Sequence, residues 1–161
     1  MTEDATLISV ARIRELHRYG LALFGHTEDG LKGTEKDLQA AIETAQQSAF
    51  YDALETGGPP NLLRSIAYMI RNLAVGHYFI DGNKRVAWLA GMEVLARTLD
   101  ADISATWEEA ASTIERLQTR NEDFDIADMA EWLGEHLCAG PRNVAPGEST
   151  EPPTSVEATK K

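Results

Sequence analysis

Nine consecutive residues, His77-Tyr78-Phe79-Ile80-Asp81-Gly82-Asn83-Lys84-Arg85, hold a base, a carboxylate, a glycine, an amide and two cations. Taken singly, a His-x-x-x-Asp pair or an Asn-Lys-Arg run is ordinary. Together, between two strongly apolar helical stretches, they suit work on a phosphate. A loop that leads into a buried helix presents backbone N–H groups without intrahelical acceptors, at the positive end of the helix dipole, and both favour an anion. Gly82 lets the backbone come close to a ligand. Lys84 and Arg85 add fixed positive charge. Asp81 offers the hard oxygen ligand that Mg²⁺ prefers, water and phosphate completing the shell. His77 can accept a proton from an attacking hydroxyl near neutral pH. Phe79 and Ile80 are expected to point into the core and hold the loop.

The elements that must position this run read as helix after helix. Ser9 caps a first helix, with Val10, Ile13, Leu16, Tyr19 and Leu23 at helical spacing. Thr34-Glu35-Lys36-Asp37 has the form of a capping box before a second helix that runs to about Tyr51. Gly57-Gly58-Pro59-Pro60 is a stop and turn. Leu62, Leu63, Ile66, Met69, Ile70 and Leu73 mark a third helix that ends near Gly76. Residues 83–98 form a fourth, apolar on nearly every side and therefore central and buried. Thr106 to Glu109 box the start of a fifth, and Asp125 caps a sixth that runs through Leu137. Alternating strands are missing, so the class is all-α, about six helices with a short strand pair at most.

The whole chain is 161 residues with 43% apolar and 25% charged residues, which fits one domain with a true core. Residues 139–161 carry four of the six prolines and no apolar period; they are expected to be a disordered tail after a domain of residues 1–138. With 15 Lys and Arg against 26 Asp and Glu, the net charge of −11 gives no general attraction for nucleic acid or an anionic membrane. No apolar run is long enough to span a membrane. The acidic N-terminus lacks the basic start of a signal peptide, and the one cysteine, Cys138, cannot form an intrachain disulfide. A reducing cytoplasm is the expected setting. Cys138 reads as a small residue near a helix end. His17 reads as a structural histidine bonded to the core, and Trp88, Trp107 and Trp132 as packing anchors. One of Arg64 and Arg71 could face a nucleotide, though exposure on the surface is the expectation for both.

The run HYFIDGNKR resembles the signature of the Fic/Doc family, in particular its Doc (death on curing) toxin branch, which reads H-x-F-x-[DN]-[AG]-N-K-R. His77, Phe79, Asp81, Gly82, Asn83, Lys84 and Arg85 fit that pattern. Weaker likeness extends over about residues 7–137, through Leu16-His17, through Gly30-Leu31-Lys32-Gly33 with Lys32 and Gly33 in place of Arg and Asp, and through the later helices. The Fic branch reads H-x-F-x-x-G-N-G-R-x-x-R. Here Lys84 replaces the second glycine and Trp88 the second arginine, which speaks against transfer of AMP. The resemblance implies an ATP- and Mg²⁺-dependent kinase that passes the γ-phosphate to a threonine of elongation factor Tu and stops translation. His77 would be the general base, Asp81 the Mg²⁺ ligand, Gly82 and Asn83 the lining of the anion site with backbone and amide donors, and Lys84 and Arg85 the groups that neutralise phosphate charge. The family's self-inhibitory pattern [ST]-x-x-x-E-[GN] has no match, because Glu109 follows Glu108 where Gly or Asn is required. A separate Phd-type antitoxin is therefore implied. The alternatives are a Fic-type adenylyltransferase and a catalytically silent module that keeps the fold for binding.

Overall fold

The computed structural model describes residues 7–23, 30–59, 61–119 and 123–140. Six helices follow in order: α1 (Val10–Leu23), α2 (Glu35–Thr56), α3 (Leu62–Val75), α4 (Asn83–Leu99), α5 (Trp107–Gln118) and α6 (Ile126–Glu135). Two three-residue strands, β1 (Ala101–Ile103) and β2 (Leu137–Ala139), pair antiparallel.

Local chemistry sets most of the starts. Thr34 accepts from the Asp37 N–H at 3.1 Å while Asp37 accepts from the Thr34 N–H at 2.9 Å. The same reciprocal box opens α5 with Thr106 and Glu109, and α6 with Asp125 and Asp128. Ser9 accepts from the Arg12 N–H ahead of α1. α2 ends at Gly57, whose φ of 82° is the left-handed geometry glycine tolerates. That end is one and a half turns beyond the expected Tyr51, because Ala53 still packs inward.

α3 is as central as α4. Its buried Ile66, Met69, Ile70 and Leu73 meet α2, α4, α5 and α6, whereas α4 lies between α3 and α1. The two helices approach closely at Gly91: a Cβ there would stand 2.9 Å from Ile70 Cδ1. Each fully buried Leu, Ile or Met in this layer contributes about 1.5–3 kcal/mol relative to exposure.

Several expectations change. On α1 the buried face is Ile13, Leu16, His17, Gly20 and Leu21, while Tyr19 and Leu23 are exposed. α6 stops at Glu135, and Leu137 belongs to β2. Cys138 therefore sits in an exposed strand, where it pairs with Asp102. The organised chain also runs past the expected boundary at 138. Ala139 pairs with Ala101, and the Gly140 N–H donates to the Asp100 carbonyl at 2.8 Å. The expected tail from 141 onward, Gly25, His26, Pro60 and Arg120 lie outside the described residues.

Candidate active site

His77 follows the last turn of α3, and its φ of 51° places it in the left-handed region. Histidine is among the non-glycine residues that enter this region most readily. The turn reverses the chain and leaves the imidazole exposed. Tyr78 to Ile80 then run extended. The Lys32 N–H donates to the Tyr78 carbonyl at 2.7 Å, and the Ile80 N–H to the Gly30 carbonyl at 2.8 Å. Because neighbouring side chains in an extended segment point to opposite sides, Phe79 and Ile80 cannot both enter the core. Phe79 is buried, and Ile80 is 59% exposed and folds over Gly30.

The loop is held from two sides. The Asn83 side chain clasps Phe79: its Oδ1 accepts from the Phe79 N–H at 3.0 Å and its Nδ2 donates to the Phe79 carbonyl at 2.9 Å. One donor of the Asn83 amide thus braces the loop backbone, and Asn83 also lines the cavity at the start of α4. From α1, the buried His17 stacks on Phe79 with ring centroids 3.8 Å apart. Its Nε2 lies 2.7 Å from the Asp81 carbonyl, so that nitrogen carries the proton and donates.

Gly82 caps α4 with φ 79°, a conformation that disfavours any other residue. It offers no side-chain cap, so the N–H groups of Asn83, Lys84 and Arg85 face outward from the first turn without intrahelical acceptors. A cavity of about 470 Å³ opens at this end of the helix. His77, Asp81, Gly82, Asn83, Lys84 and Arg85, the whole set singled out from sequence, line it together. α1 adds His17, Gly20 and Leu21, and α5 adds Trp107 and Gln118.

The charges around the cavity differ in how they are held. Lys84 Nζ pairs with Glu115 of α5 at 2.9 Å, and both groups are more than a third exposed. Such a pair is worth about 0–1 kcal/mol and yields readily to a multiply charged phosphate. The Arg85 guanidinium lies over the Trp107 ring, 3.9 Å from its centroid. Burial lowers its pKa from the ordinary arginine value, with the Glu108 carboxylate pulling the other way. Asp81 is exposed and accepts from the Gly82 N–H at 2.8 Å. Among the described residues no three His, Cys, Asp or Glu side chains gather as a metal cage. Asp81 is the one carboxylate among the described residues that lines the cavity, and a lone carboxylate could hold Mg²⁺ only with waters and a ligand's oxygens completing the shell.

A family model described as the Fic/DOC family matches residues 7–95, more than half of the 161-residue chain. The chain belongs to the Fic/DOC family. Fic/DOC members are typically transferases, either AMPylators or kinases, and the all-helical architecture agrees. No match was found among curated proteins. The Fic/DOC match spans α1 to most of α4, and so includes every residue of the motif. It stops short of α5, which supplies Trp107, Glu115 and Gln118.

The remaining sequence candidates sit elsewhere. Arg64 donates to Asp52 at 2.6 Å and Arg71 lies near the Tyr68 ring; neither lines the cavity. Trp88 and Trp132 pack edge to face at 6.1 Å, as anchors should. His136 caps α6, where its Nδ1 donates to the Trp132 carbonyl at 2.8 Å. The residues that sequence reasoning left out of the site are His17, Gly20, Leu21, Trp107, Glu115 and Gln118. Only His17 carried a signal, its place beside Leu16 on the apolar face of α1. No helix among the described residues is long and apolar enough to cross a membrane.

Proposed function

We propose that this chain is the toxin of a toxin–antitoxin pair: a Doc-like kinase that moves the γ-phosphate of ATP to a threonine hydroxyl of elongation factor Tu and so blocks translation in the cytoplasm. The observation that carries the choice of kinase over adenylyltransferase is Lys84 together with Trp88 on α4. Lys84 stands where the AMP-transferring pattern needs an open glycine. Trp88, in place of that pattern's second arginine, is packed against Trp132 and does not line the cavity. The inner-phosphate cradle and the second clamp are both missing.

In this reading the triphosphate lies against the N–H groups of the first turn of α4, with Lys84 and Arg85 on its oxygens. Asp81 holds Mg²⁺, which neutralises charge on the phosphates when bound. His77 accepts the proton of the threonine hydroxyl as its oxygen bonds to the γ-phosphorus, and the bond to the β-phosphate oxygen breaks to release ADP. Phosphoryl transfer needs positioning and charge stabilisation more than covalent help, which is what this loop and helix end supply. His17, Phe79 and Asn83 serve by bracing the loop that carries His77 and Asp81. With no self-inhibitory glutamate pattern in the chain, restraint falls to a Phd-type antitoxin whose peptide covers the groove.

The test is to incubate purified protein with a translation extract and Mg²⁺-ATP and weigh the modified proteins. The expected result is a phosphate-sized mass increase on elongation factor Tu, with label from the γ-position of ATP. An AMP-sized increase, labelled from the α-phosphate, would replace the kinase with an adenylyltransferase. The absence of any modification would leave a binding module.

A further inference from the structure

His77 turns the chain in the left-handed region, a backbone state that costs free energy for any residue with a Cβ and persists only where the surroundings over-determine it. Among the described residues no hydrogen bond is made to or by His77 itself, so the turn is set by what grips the chain on either side. After the turn, the Tyr78 carbonyl accepts from the Lys32 N–H, and the Tyr78 ring lies over Gly76, where an added Cβ would collide with it. Before the turn, the carbonyls in the last turn of α3 lack donors from further helix and must find others. The Asn72 carbonyl takes the Gly76 N–H at 3.0 Å. The Ala74 carbonyl, three residues before His77, takes the side-chain Nε2 of Gln118 at 3.0 Å.

Gln118 is the last residue of α5, and the buried Ile114 and Leu117 root that helix in the core. The side chain is half-buried, so its amide reaches α3 from a fixed element. Gln118 and His77 line the same cavity. Asn72 makes the matching tie on another side: its Nδ2 donates to the Ala41 carbonyl of α2 at 3.1 Å. The end of α3 is thus held between α2 and α5 just where the chain must turn. Without the donor from Gln118, the last turn of α3 has one fewer restraint against fraying, and the His77 backbone is freer to relax toward the commoner negative φ.

We propose that Gln118 is a positioning residue: its amide pins the last turn of α3 and so keeps His77 in the turn that places it at the cavity. The tether rests on the reading of His77 as the base. It adds that α5, which lies beyond the segment matched by the family model, acts on the rate of proton transfer through the Ala74 carbonyl.

The test uses the full chain, with kcat and KM for Mg²⁺-ATP measured on elongation factor Tu, the imidazole signals of His77 followed by NMR, and folding followed by thermal melting. Gln118→Met keeps the length of the side chain and removes the donor. It should lower kcat about 10–100-fold, the cost of a misplaced reacting group, and leave KM within about twofold of wild type. The His77 signals, identified by their loss in His77→Asn, should shift or broaden as the turn samples other backbone angles. Thr113→Val is the control. It removes another hydrogen bond of α5, from the buried Thr113 hydroxyl to the Glu109 carbonyl at 2.8 Å, and Thr113 does not line the cavity. It should lower the melting temperature and leave kcat and the His77 signals unchanged. Unchanged His77 signals in Gln118→Met, or a kcat within about twofold of wild type, would overturn the tether while leaving the kinase reading standing. An equal loss of kcat in Thr113→Val would overturn it too. A wild type that transfers no phosphate would sink the kinase reading, and the His77 signals alone would then decide the tether.

Discussion

At the scale of single residues, the site depends on side chains placed by backbone geometry that few residue types accept. His77 at φ 51° and Gly82 at φ 79° bracket the loop, and both line the cavity. His77→Asn keeps a side chain that tolerates the left-handed region but removes the base. Because the imidazole is exposed, no core cavity opens. The expected outcome is a melting temperature within about 2 °C of wild type and transfer slower by about 10²–10⁴-fold. Growth arrest on expression of His77→Asn at wild-type strength would show that His77 is not the base.

Among the elements, α2 and α3 are joined by a cluster whose charge state can be read. Asp52 accepts from Arg64 at 2.6 Å and from the Tyr68 hydroxyl at 2.7 Å. Burial alone would raise the Asp52 carboxyl, but the hydrogen bonds from Tyr68 and Arg64 outweigh it and hold the group below its ordinary value. A carboxylate depressed in the folded state stabilises the fold above its unfolded pKa, about 3.9, and that contribution is lost as pH falls through the lower folded value. Asp52→Asn should therefore lower the melting temperature at pH 7 by about 3–5 °C, equivalent to about 1 kcal/mol. The gap between variant and wild type should narrow below about pH 4. A gap that stays constant from pH 7 to pH 3 would mean that the carboxylate's charge contributes nothing to the joint.

For the whole molecule, the chain is closed by the two short strands that join the exit of α4 to the end of α6. All three β2 residues are exposed, so β2 stabilises through its backbone ladder and through the Gly140 bond to Asp100, with little side-chain burial. Removing residues 137–161 should cost about 1–2 kcal/mol and lower the melting temperature by about 4–8 °C. Removing only 141–161 should leave it within about 2 °C, since that proline-rich stretch has no apolar period with which to dock. Equal losses from the two truncations would mean that the last residues pack on the body. The motif loop joins α3 to α4 and is anchored in that core by the buried Phe79, so under the proposed kinase reading both truncated forms should keep transfer activity at temperatures where they remain folded.

The six helices and the motif loop are legible in the residues because the forces behind them are short in range. A capping box spans four positions, an apolar face repeats within two turns, and a left-handed glycine acts on its own dihedral angles. Thr34, Thr106 and Asp125 start their helices where local chemistry says, and His77 and Asp81 to Arg85 come together in one cavity because they are close in sequence. What the tertiary structure alone decided is which distant surfaces meet that loop. Nothing near His17 states that its ring will stack on Phe79 and hold the Asp81 carbonyl, 64 positions away. Nothing near Trp107 or Glu115 states that one will face Arg85 and the other Lys84. The same holds for Ile80, whose apolar type suggested the core until the pairing with Gly30 turned it outward. Those contacts depend on how α1 and α5 pack beside α4, and packing is settled by the shape and volume of the entire core, which no local window of sequence contains.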